Sequence, residues 1–333
     1  MDEIVVYIAM PLGEDHLQRI QMVSPQLNVT YLPDDTWAHG SAPYEPPPKR
    51  LDYLKDAEVL LDVFAFFEMQ QAPNLRWLQV PGAGVEKLRG TPVMESDVII
   101  TNARIFATPI AEYVFASILA YCRHLPKAID QVQKQAVWPR NVWNEYLGIE
   151  LEGKTMAIIG YGSTGHRLGQ LARCFGMRAI ATRRNLKEPV VENGVHVFPA
   201  DHLIHVLSQA DFVVISLPLT RETEGIIGER ALRAMKPNAY LVNVGRGRLI
   251  QNEPLLRALT EGWIGGAGLD VHDPTPPPEE SPFRELPNVI MTPHMAGVTS
   301  RWYDRVTDLF CENLRRYIHG APLLHVIDKE LGY

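Results

Sequence analysis

Short apolar runs alternate along the chain with amphipathic stretches. Short apolar runs that are rich in Val and Ile predict the buried strands of a parallel sheet. The segment EDHLQRIQMV (14–23) has a helical pattern and is predicted to be a crossover helix between two such strands. In the first third of the chain the runs are IVVYIAM (4–10), VLLDVFA (59–65), LRWLQV (75–80) and DVIITN (97–102). This part is therefore predicted to be a doubly wound α/β unit.

A second series of strands follows a long helical stretch. Residues 106–136 are predicted to be helical, broken only by Pro126, and an amphipathic helix is predicted over roughly 300–319. The Pro-rich segments 43–50 and 273–282 are predicted to be loops. The strands of the second series are TMAIIG (155–160), MRAIAT (177–182), DFVVISL (211–217), AYLVNV (239–244), GGAGLDV (265–271) and NVIMT (288–292). Two doubly wound parallel-sheet units are the simplest interpretation.

Length, charge and cysteine content narrow the class of protein. A chain of 333 residues is long enough for two domains. Its formal net charge of −7 argues against nucleic acid or an anionic membrane as the main partner. The three cysteines, Cys122, Cys174 and Cys311, are far apart and are predicted to be reduced core thiols rather than disulfides. With no apolar run long enough to cross a bilayer, we expect a cytoplasmic protein.

The turn after the strand 155–160 carries the first functional signal. Gly160, Gly162 and Gly165 form a G-x-G-x-x-G pattern directly between a predicted strand and a predicted helix. In this setting the first glycine permits a tight turn, the second lets a pyrophosphate approach the backbone, and the third lets the helix pack closely. The pattern predicts a dinucleotide site, and a tight turn without a ligand is the alternative.

Two arginines follow the next strand, where an acidic residue commonly binds the adenosine ribose. Arg183 lies 18 positions beyond Gly165, and Arg184 follows it. A guanidinium binds a 2′-phosphate through charge-assisted hydrogen bonds of about 1.5–3 kcal/mol each, whereas a carboxylate would repel it. The pair therefore favours NADP(H), with NAD(H) still possible. The alternative is that two exposed arginines simply end a strand.

Further polar residues end the later strands of the second unit. Arg246 follows VNVG, Asp270 lies in GLDVHD, and His294 lies in TPHMAG. The segment SLPLTRET (216–223) supplies another loop at the same predicted edge. Ligands of open α/β sheets bind at the carboxyl ends of the strands, so these residues are predicted to converge.

Together with PGAGVE (81–86), TPIAEYVFASILAYCR (108–123) and ELEGKTMAIIGYGSTG (150–165), these segments resemble the D-2-hydroxyacid dehydrogenase family from about residue 60 to 320. The resemblance implies a Rossmann cofactor domain, 103–295, inserted into a flavodoxin-like substrate domain made of 1–102 and 296–333. It also implies a small 2-oxo acid or D-2-hydroxy acid as substrate.

Residue roles follow from the same resemblance. Arg246 would bind the carboxylate and keto oxygen, and His294 would be the general acid in reduction and the general base in oxidation. The amides around Ala83, Gly84 and Val85 would hold the substrate carboxylate. The cofactor would be contacted by His294 and by Ser163, Thr164, Leu217, Pro218, Thr223, Val244, Gly245, Asp270 and Gly297. Hydride addition to a ketone leaves an alkoxide, so a nearby cation and a proton donor of pKa about 6.5 suit the reaction.

The sequence departs from the family at one catalytic position. Thr275 lies where the family normally has the glutamate that hydrogen-bonds the histidine and raises its pKa. Threonine carries no charge, so it does not raise the pKa of the histidine as the glutamate does. Each pKa unit lost makes the protonated histidine less stable by about 1.4 kcal/mol relative to the neutral form. Three outcomes stay open: a pH profile shifted to the acid side, replacement by Asp273, Glu279 or Glu280, or a sensor that binds NADP(H) with little turnover.

Other classes fit less well. Formate dehydrogenases also have a neutral residue at the position of Thr275, but they have an asparagine where this chain has Phe106. A methyltransferase would use the glycine turn but would leave Arg246 and His294 unexplained. His202 and His205 have no partner with ligand spacing, so we predict a helix surface and no metal.

Substrate and assembly are less constrained. The chain ends at Tyr333 without a further regulatory domain, which favours glyoxylate, hydroxypyruvate or a similar small 2-oxo acid. Trp138, Trp143, Trp302 and Tyr303 are candidates for the pocket lining or for interface core. The family usually dimerises through the cofactor domain, so a homodimer contact is expected within 125–150.

Overall fold

The structure, a computed structural model, describes residues 3–32, 52–62, 67–135 and 137–332. The chain divides into two compact units, the first made of Met1–Phe106 with Thr299–Tyr333 and the second of Ala107–Val298. Both boundaries fall a few residues later than the family resemblance implies. The loop expected at 43–50 and the end of the run 59–65 lie outside the described residues.

The first unit is built on a five-stranded parallel sheet with the order β2-β1-β3-β4-β5. This order is that of flavodoxin-like folds. Its apolar runs form strands because they are buried by helices: Val306 and Phe310 of the last helix pack in one core with Val6 and Ile8. The elements are β1 (Ile4–Ile8), α1 (Glu14–Gln21), β2 (Leu27–Tyr31), β3 (Val59–Leu61), β4 (Trp77–Gln79), α2 (Pro92–Glu95), β5 (Ile99–Thr101) and α10 (Trp302–Ile318).

In the described residues, the second unit has a sheet of eight strands with the order β13-β12-β11-β10-β6-β7-β9-β8, in which β8 and β9 are antiparallel and the other neighbours are parallel. The order around its first strand, β6, is that of a Rossmann fold. The strands are β6 (Thr155–Ile159), β7 (Arg178–Arg183), β8 (Val190–Glu192), β9 (Val195–Pro199), β10 (Phe212–Ile215), β11 (Tyr240–Asn243), β12 (Gly266–Leu269) and β13 (Val289–Met291). The helices are α3 (Ala107–Cys122), α4 (Leu125–Ile129), α5 (Val142–Glu145), α6 (Ser163–Cys174), α7 (Leu203–Gln209), α8 (Glu229–Ala234) and α9 (Asn252–Thr260).

The sheet of the second unit is covered on both faces, which explains its continuous apolar strands. Ile159 and Val213 belong to one core, and the adjacent Ile158 and Val214 belong to the core on the opposite face. Successive strand residues point to opposite faces, so every residue must be apolar when helices cover both. The predicted fold class is confirmed.

Three strands were not predicted from the sequence. The strands β2, β8 and β9 are partly exposed or alternate buried and exposed residues, so none contains a continuous apolar run. Strands of this kind are recognised by their partners in the sheet rather than by their own composition.

The prediction for residues 106–136 is wrong in where the helix breaks. Helix α3 ends at Cys122, and His124 has a left-handed backbone with φ of 52°. Pro126 lies in the first turn of α4, where no intrahelical donor is required of it, and a π-helical turn follows at Asp130–Lys134. The break therefore precedes the proline.

The prediction of three core thiols is also wrong for one residue. Cys122 and Cys311 are buried, but Cys174 is exposed at the last position of α6. All three are free thiols. Burial raises the pKa of the Cys122 thiol to about 11, so this thiol stays protonated near neutral pH.

Candidate active site

The glycine turn lies between β6 and α6. Gly160 has a left-handed backbone with φ of 103°, which glycine adopts without a steric penalty. A Cβ at Gly165 would lie 2.6 Å from the carbonyl oxygen of Gly160, so a side chain there cannot fit without movement of the backbone. These two glycines are required by the packing of the turn itself.

Gly162 differs from its two neighbours in the motif. A Cβ built there meets no protein atom within 4 Å, so packing does not require a glycine at this position. The exposed Ser163 begins a 12-residue helix, and the half-buried Thr164 follows in the same turn. Unpaired amide groups at a helix N-terminus favour an anion, and the open space leaves room for one. The residues present here fit the pyrophosphate of a dinucleotide.

Both arginines at the end of β7 are ion-paired. Nη1 of Arg183 donates to Oε2 of Glu192 at 2.7 Å, and Nη1 of Arg184 lies 3.6 Å from Glu222. Nε2 of His166, the residue after the third glycine, lies 3.5 Å from the other carboxylate oxygen of Glu192. Sequence reasoning missed Glu192, because the strand that carries it has no apolar run.

The loop after β10 is closed by threonine side chains. Oγ1 of Thr223 donates to the carbonyl oxygen of Pro218 at 2.7 Å and accepts from the backbone amide of Thr220 at 2.8 Å. Leu217 packs against the core below this loop, while Pro218 is exposed. The three predicted cofactor contacts, Leu217, Pro218 and Thr223, therefore belong to one internally bonded loop.

The loop that carries Arg246 is held by a buried amide side chain. Asn243 donates through Nδ2 to the carbonyl oxygen of Arg246 at 2.9 Å and accepts from the amide of Gly245 at 3.1 Å. Val244 and Gly245 are buried, and Nη1 of Arg246 donates to the Gly245 carbonyl at 2.7 Å. Asn243 is 1% exposed and holds this loop in place, and as an uncharged strand residue it is not among the predicted site residues.

Gly247 lets this loop approach the neighbouring strand end. A Cβ at Gly247 would lie 2.2 Å from the backbone carbonyl carbon of His272. A backbone contact this close tolerates no side chain. The chain after Arg246 is thereby packed against the chain after Asp270.

The loop that carries His294 is held by Asp270. This carboxylate is 1% exposed and accepts hydrogen bonds from Oγ1 of Thr292 at 2.7 Å and from the amides of Met295 at 2.8 Å and Ala296 at 2.9 Å. His294 is exposed and has a left-handed backbone with φ of 59°, and Gly297 follows in the same turn. A non-glycine residue in this conformation persists only where its surroundings hold it there. Asp270 therefore holds in place the loop that carries His294.

The bonds continue into α3. Oη of Tyr113 lies 2.5 Å from Oγ1 of Thr292, and because Thr292 donates to Asp270, Tyr113 is the donor in this pair. Burial, with the Asp270 charge as a smaller contribution, raises the pKa of Tyr113 to about 12. The phenol is therefore neutral and able to donate at physiological pH.

Thr275 makes a hydrogen bond next to its own loop. Its exposed side chain donates through Oγ1 to the carbonyl oxygen of His272 at 2.6 Å. Its single hydroxyl proton is thus used locally within the proline-rich loop 273–282, which is irregular as predicted.

The predicted carboxylate-binding residues lie in the first unit. The carbonyl oxygen of Ala83 accepts from Nδ2 of Asn102 at 2.7 Å, and the amide of Ala103 donates to the carbonyl oxygen of Gly82 at 2.9 Å. Ala83 is exposed, Gly84 half-buried and Val85 buried. Asn102, 2% exposed, fixes this turn from the end of β5.

Two other groups of predicted residues are the aromatic side chains and the two histidines. Trp302 and Tyr303 pack against the core of the first unit, whereas Trp138 and Trp143 are exposed. His202 and His205 lie near the start of α7. Among the described residues, no group of three or more His, Cys, Asp or Glu side chains is placed to hold a metal ion. None of the helices in the described ranges has the length and apolar character needed to cross a bilayer.

Comparison with known proteins identifies the family to which the chain belongs. Residues 115–296 match the family model of the D-isomer specific 2-hydroxyacid dehydrogenase NAD binding domain. This match covers more than half of the chain, and the protein belongs to the D-isomer specific 2-hydroxyacid dehydrogenase family.

Individual proteins show which members of the family the chain is similar to. The chain is 33% identical over 296 residues to the glyoxylate reductase of Pyrococcus furiosus, which covers 86% of this chain and 87% of the relative. The NADPH-dependent glyoxylate/hydroxypyruvate reductase of Sinorhizobium meliloti, solved with NADP and sulfate, superposes with a TM-score of 0.78 at 25% identity, covering 99% of this chain and all of that one. A D-isomer specific 2-hydroxyacid dehydrogenase from Xanthobacter autotrophicus, solved with NADPH and MES, gives a TM-score of 0.79 at 26% identity over the whole of both chains.

Proposed function

We propose that the protein is an NADP-preferring reductase of small 2-oxo acids of the glyoxylate or hydroxypyruvate type, which also runs as a D-2-hydroxyacid dehydrogenase. One observation carries the proposal: Asn243 and Asp270 hold the loops of Arg246 and His294 after the strand ends of one sheet. The strands β11, β12 and β13 are neighbours in that sheet, so both loops leave the same edge. A cation and a proton donor fixed at one edge match the needs of ketone reduction.

The reaction assigns a role to each of these side chains. A bound nicotinamide supplies the hydride. Arg246 binds the carboxylate and keto oxygen of the substrate and stabilises the negative charge that develops on that oxygen. His294 donates a proton to the same oxygen in reduction and removes it in oxidation. Asp270, Thr292 and Tyr113 hold the His294 loop in place.

The cofactor is held by the glycine turn and the loops that follow β10, β11 and β13. Ser163 and Thr164 present the amides of the helix N-terminus to the pyrophosphate, and Arg183 and Arg184 bind the 2′-phosphate. The remaining contacts are assigned to Gly160, Gly162, Gly165, Leu217, Pro218, Thr223, Val244, Gly245, Asp270, His294 and Gly297. NADP in the Sinorhizobium structure and NADPH in the Xanthobacter structure support this preference, and NAD(H) is the weaker alternative.

The substrate carboxylate is assigned to the amides of Ala83, Gly84 and Val85. Asn102 fixes the Ala83 carbonyl, which leaves the amides of this turn in a defined direction. The glyoxylate reductase of Pyrococcus furiosus supports a substrate with no large side chain.

The part of the chain from Leu125 to Leu147 also carries several exposed apolar side chains that suit a homodimer contact. Trp138 is 78% exposed and Trp143 is 86% exposed, and Leu125, Ile129 and Leu147 are exposed as well. Large apolar side chains left exposed in number favour an interaction surface. We expect light scattering to give a dimer for the wild type, and the variant Trp138→Glu/Trp143→Glu to give a monomer with its helical content unchanged. A monomeric wild type would exclude this assignment.

A second function is supported by the contact of Thr275. Its hydroxyl donates to the His272 carbonyl. Threonine is uncharged, so it cannot stabilise a protonated His294 as a carboxylate would. The alternative is a sensor that binds NADP(H) with little turnover.

The two functions separate in one experiment. Oxidation of NADPH and of NADH is followed with glyoxylate and with hydroxypyruvate from about pH 5 to 9, for the wild type, Thr275→Glu, Arg246→Gln and His294→Gln. We expect turnover by the wild type with NADPH preferred, extension to higher pH in Thr275→Glu, and loss of activity in the other two variants. A wild type that binds NADPH but is silent, while Thr275→Glu is active, would select the sensor.

A further inference from the structure

The ion pair at the end of β7 is formed by a hairpin that has no part in the chemistry described above. Strands β8 and β9 are antiparallel, with Glu192 paired opposite Val195. Strand β9 pairs in parallel with β7, and Arg183 lies opposite Pro199. This pairing brings the carboxylate of Glu192 beside the guanidinium of Arg183.

Glu192 also contacts the glycine turn. One carboxylate oxygen lies 2.7 Å from Nη1 of Arg183, and the other lies 3.5 Å from Nε2 of His166. Oη of Tyr161, the residue between the first two glycines, donates to the Glu192 backbone carbonyl at 3.5 Å. The carboxylate therefore lies between the end of β7 and the first turn of α6, on the side of the motif where the adenosine ribose is recognised.

This ion pair is open to solvent. The side chains of Arg183 and Glu192 are each 33% exposed, and that of His166 is 34% exposed. Exposed pairs contribute little to stability, so a ligand anion can exchange with the carboxylate at small cost. An acidic residue at a site that binds a phosphate nevertheless repels it.

We propose that Glu192 sets the cofactor selectivity of this enzyme by competing with the 2′-phosphate of NADP(H) for Arg183. This inference rests on the proposed role of Arg183 in binding that phosphate. In the presence of NAD(H) the same carboxylate accepts a hydrogen bond from the free 2′-hydroxyl. One residue thus penalises one cofactor and supports the other, so the protein uses both while its arginines favour NADP(H).

The competition is tested by dissociation constants of NADPH and NADH, measured by fluorescence titration. The variants are Glu192→Gln, Arg183→Gln and the double variant, with Glu188→Gln as a control that removes an exposed carboxylate before the same hairpin. Glutamine keeps the size of the side chain and removes its charge. We expect Glu192→Gln to bind NADPH about tenfold more tightly and NADH about threefold more weakly, and Glu188→Gln to change neither.

The double variant identifies the partner of Glu192. If Glu192 acts by competing for Arg183, its removal should no longer strengthen NADPH binding when Arg183 is already glutamine. If Glu192 is only a clamp for the hairpin, Glu192→Gln should weaken or leave unchanged both cofactors alike, and that result would overturn the inference.

Failure of the proposed function would give a different pattern of dissociation constants. If Arg183→Gln leaves the ratio of the two dissociation constants unchanged, Arg183 does not bind the 2′-phosphate, and both the role proposed for Arg183 and the competition with Glu192 are wrong. If Arg183→Gln lowers the preference for NADPH while Glu192→Gln has no effect, only the role of Glu192 is overturned.

Discussion

Two groups of charged residues lie at the strand ends of the second unit, and they are held in different ways. The loops of Arg246 and His294 are fixed by Asn243 and Asp270, each 1% exposed. Arg183 is instead paired with Glu192, and both side chains are one-third exposed. A buried polar group is costly to leave unpaired, whereas an exposed ion pair contributes little. The part of the site assigned to chemistry is therefore rigid, and the part assigned to cofactor selectivity is adjustable.

Two glycines of the turn also differ, since one is closely packed and the other faces open space. Gly165 is packed against the Gly160 carbonyl at 2.6 Å, while a side chain at Gly162 would meet nothing within 4 Å. The first is a glycine that the fold requires. The second is a glycine that packing does not require, and the proposed pyrophosphate site would account for it.

The largest effect is expected where the buried bonds are broken. Asp270→Ala leaves the amides of Met295 and Ala296 without their buried acceptor, and we expect a loss of about 3 kcal/mol in the free energy of unfolding. Reductase activity should fall as well, because the His294 loop is released. Denaturant unfolding measures the first quantity, and Asp201→Ala, at an exposed side chain, is the control. Equal stability of the two variants would contradict the positioning role.

The next effect separates the two glycines. Gly165→Ala forces the backbone apart and should lower the free energy of unfolding by about 2 kcal/mol. Gly162→Ala should change it by less than about 0.5 kcal/mol but weaken NADPH binding about tenfold, since the added methyl group occupies the space for the pyrophosphate. Thermal unfolding with and without NADPH measures both. An unimpaired cofactor affinity in Gly162→Ala would show that the open space is not the pyrophosphate site.

A smaller effect on stability is expected at Tyr113, which ends the series of hydrogen bonds that runs from Asp270 through Thr292. Tyr113→Phe removes one hydrogen bond to Thr292 and should cost about 1 kcal/mol near neutral pH.

The difference in stability between the wild type and Tyr113→Phe should also depend on pH. The pKa of Tyr113 is about 12 in the folded protein and about 10 in the unfolded chain, so between these values the unfolded state loses its proton first. Stability contributed by Tyr113 is thus complete below pH 10 and lost as the pH rises toward 12. The difference between wild type and variant, measured by urea unfolding from pH 8 to 11, should narrow above pH 10. A constant difference would mean that Tyr113 titrates normally.

The smallest effect on stability is expected at the partly exposed ion pair of Arg183 and Glu192. Arg183→Gln should change the free energy of unfolding by less than about 0.5 kcal/mol, because solvent screens the pair with Glu192. Its effect should appear in the ratio of NADPH to NADH affinity instead. A large loss of stability would show that the pair holds the hairpin, and the contrast between rigid and adjustable regions would then be wrong.

Parts of this site were predictable because they depend on local pattern. The apolar runs predicted the strands buried on both faces, and the glycine spacing between a strand and a helix predicted the turn that the structure shows. Arg246, Asp270 and His294 could be selected as candidates from the sequence because the carboxyl ends of parallel strands share one edge. The break before Pro126 was misplaced because a left-handed histidine has no pattern in sequence.

What the sequence by itself determined was the strands buried on both faces, the glycine turn, the family resemblance and the candidate residues at the strand ends. Only the tertiary structure decided what Asp270 and Glu192 contact. Asp270 bonds residues more than twenty positions away, and Glu192 reaches Arg183 because a partly exposed hairpin folds back beside β7. Hydrogen bonds and ion pairs of this kind depend on the distance between two side chains after folding, and that distance is set by sheet pairing rather than by the spacing of residues along the chain.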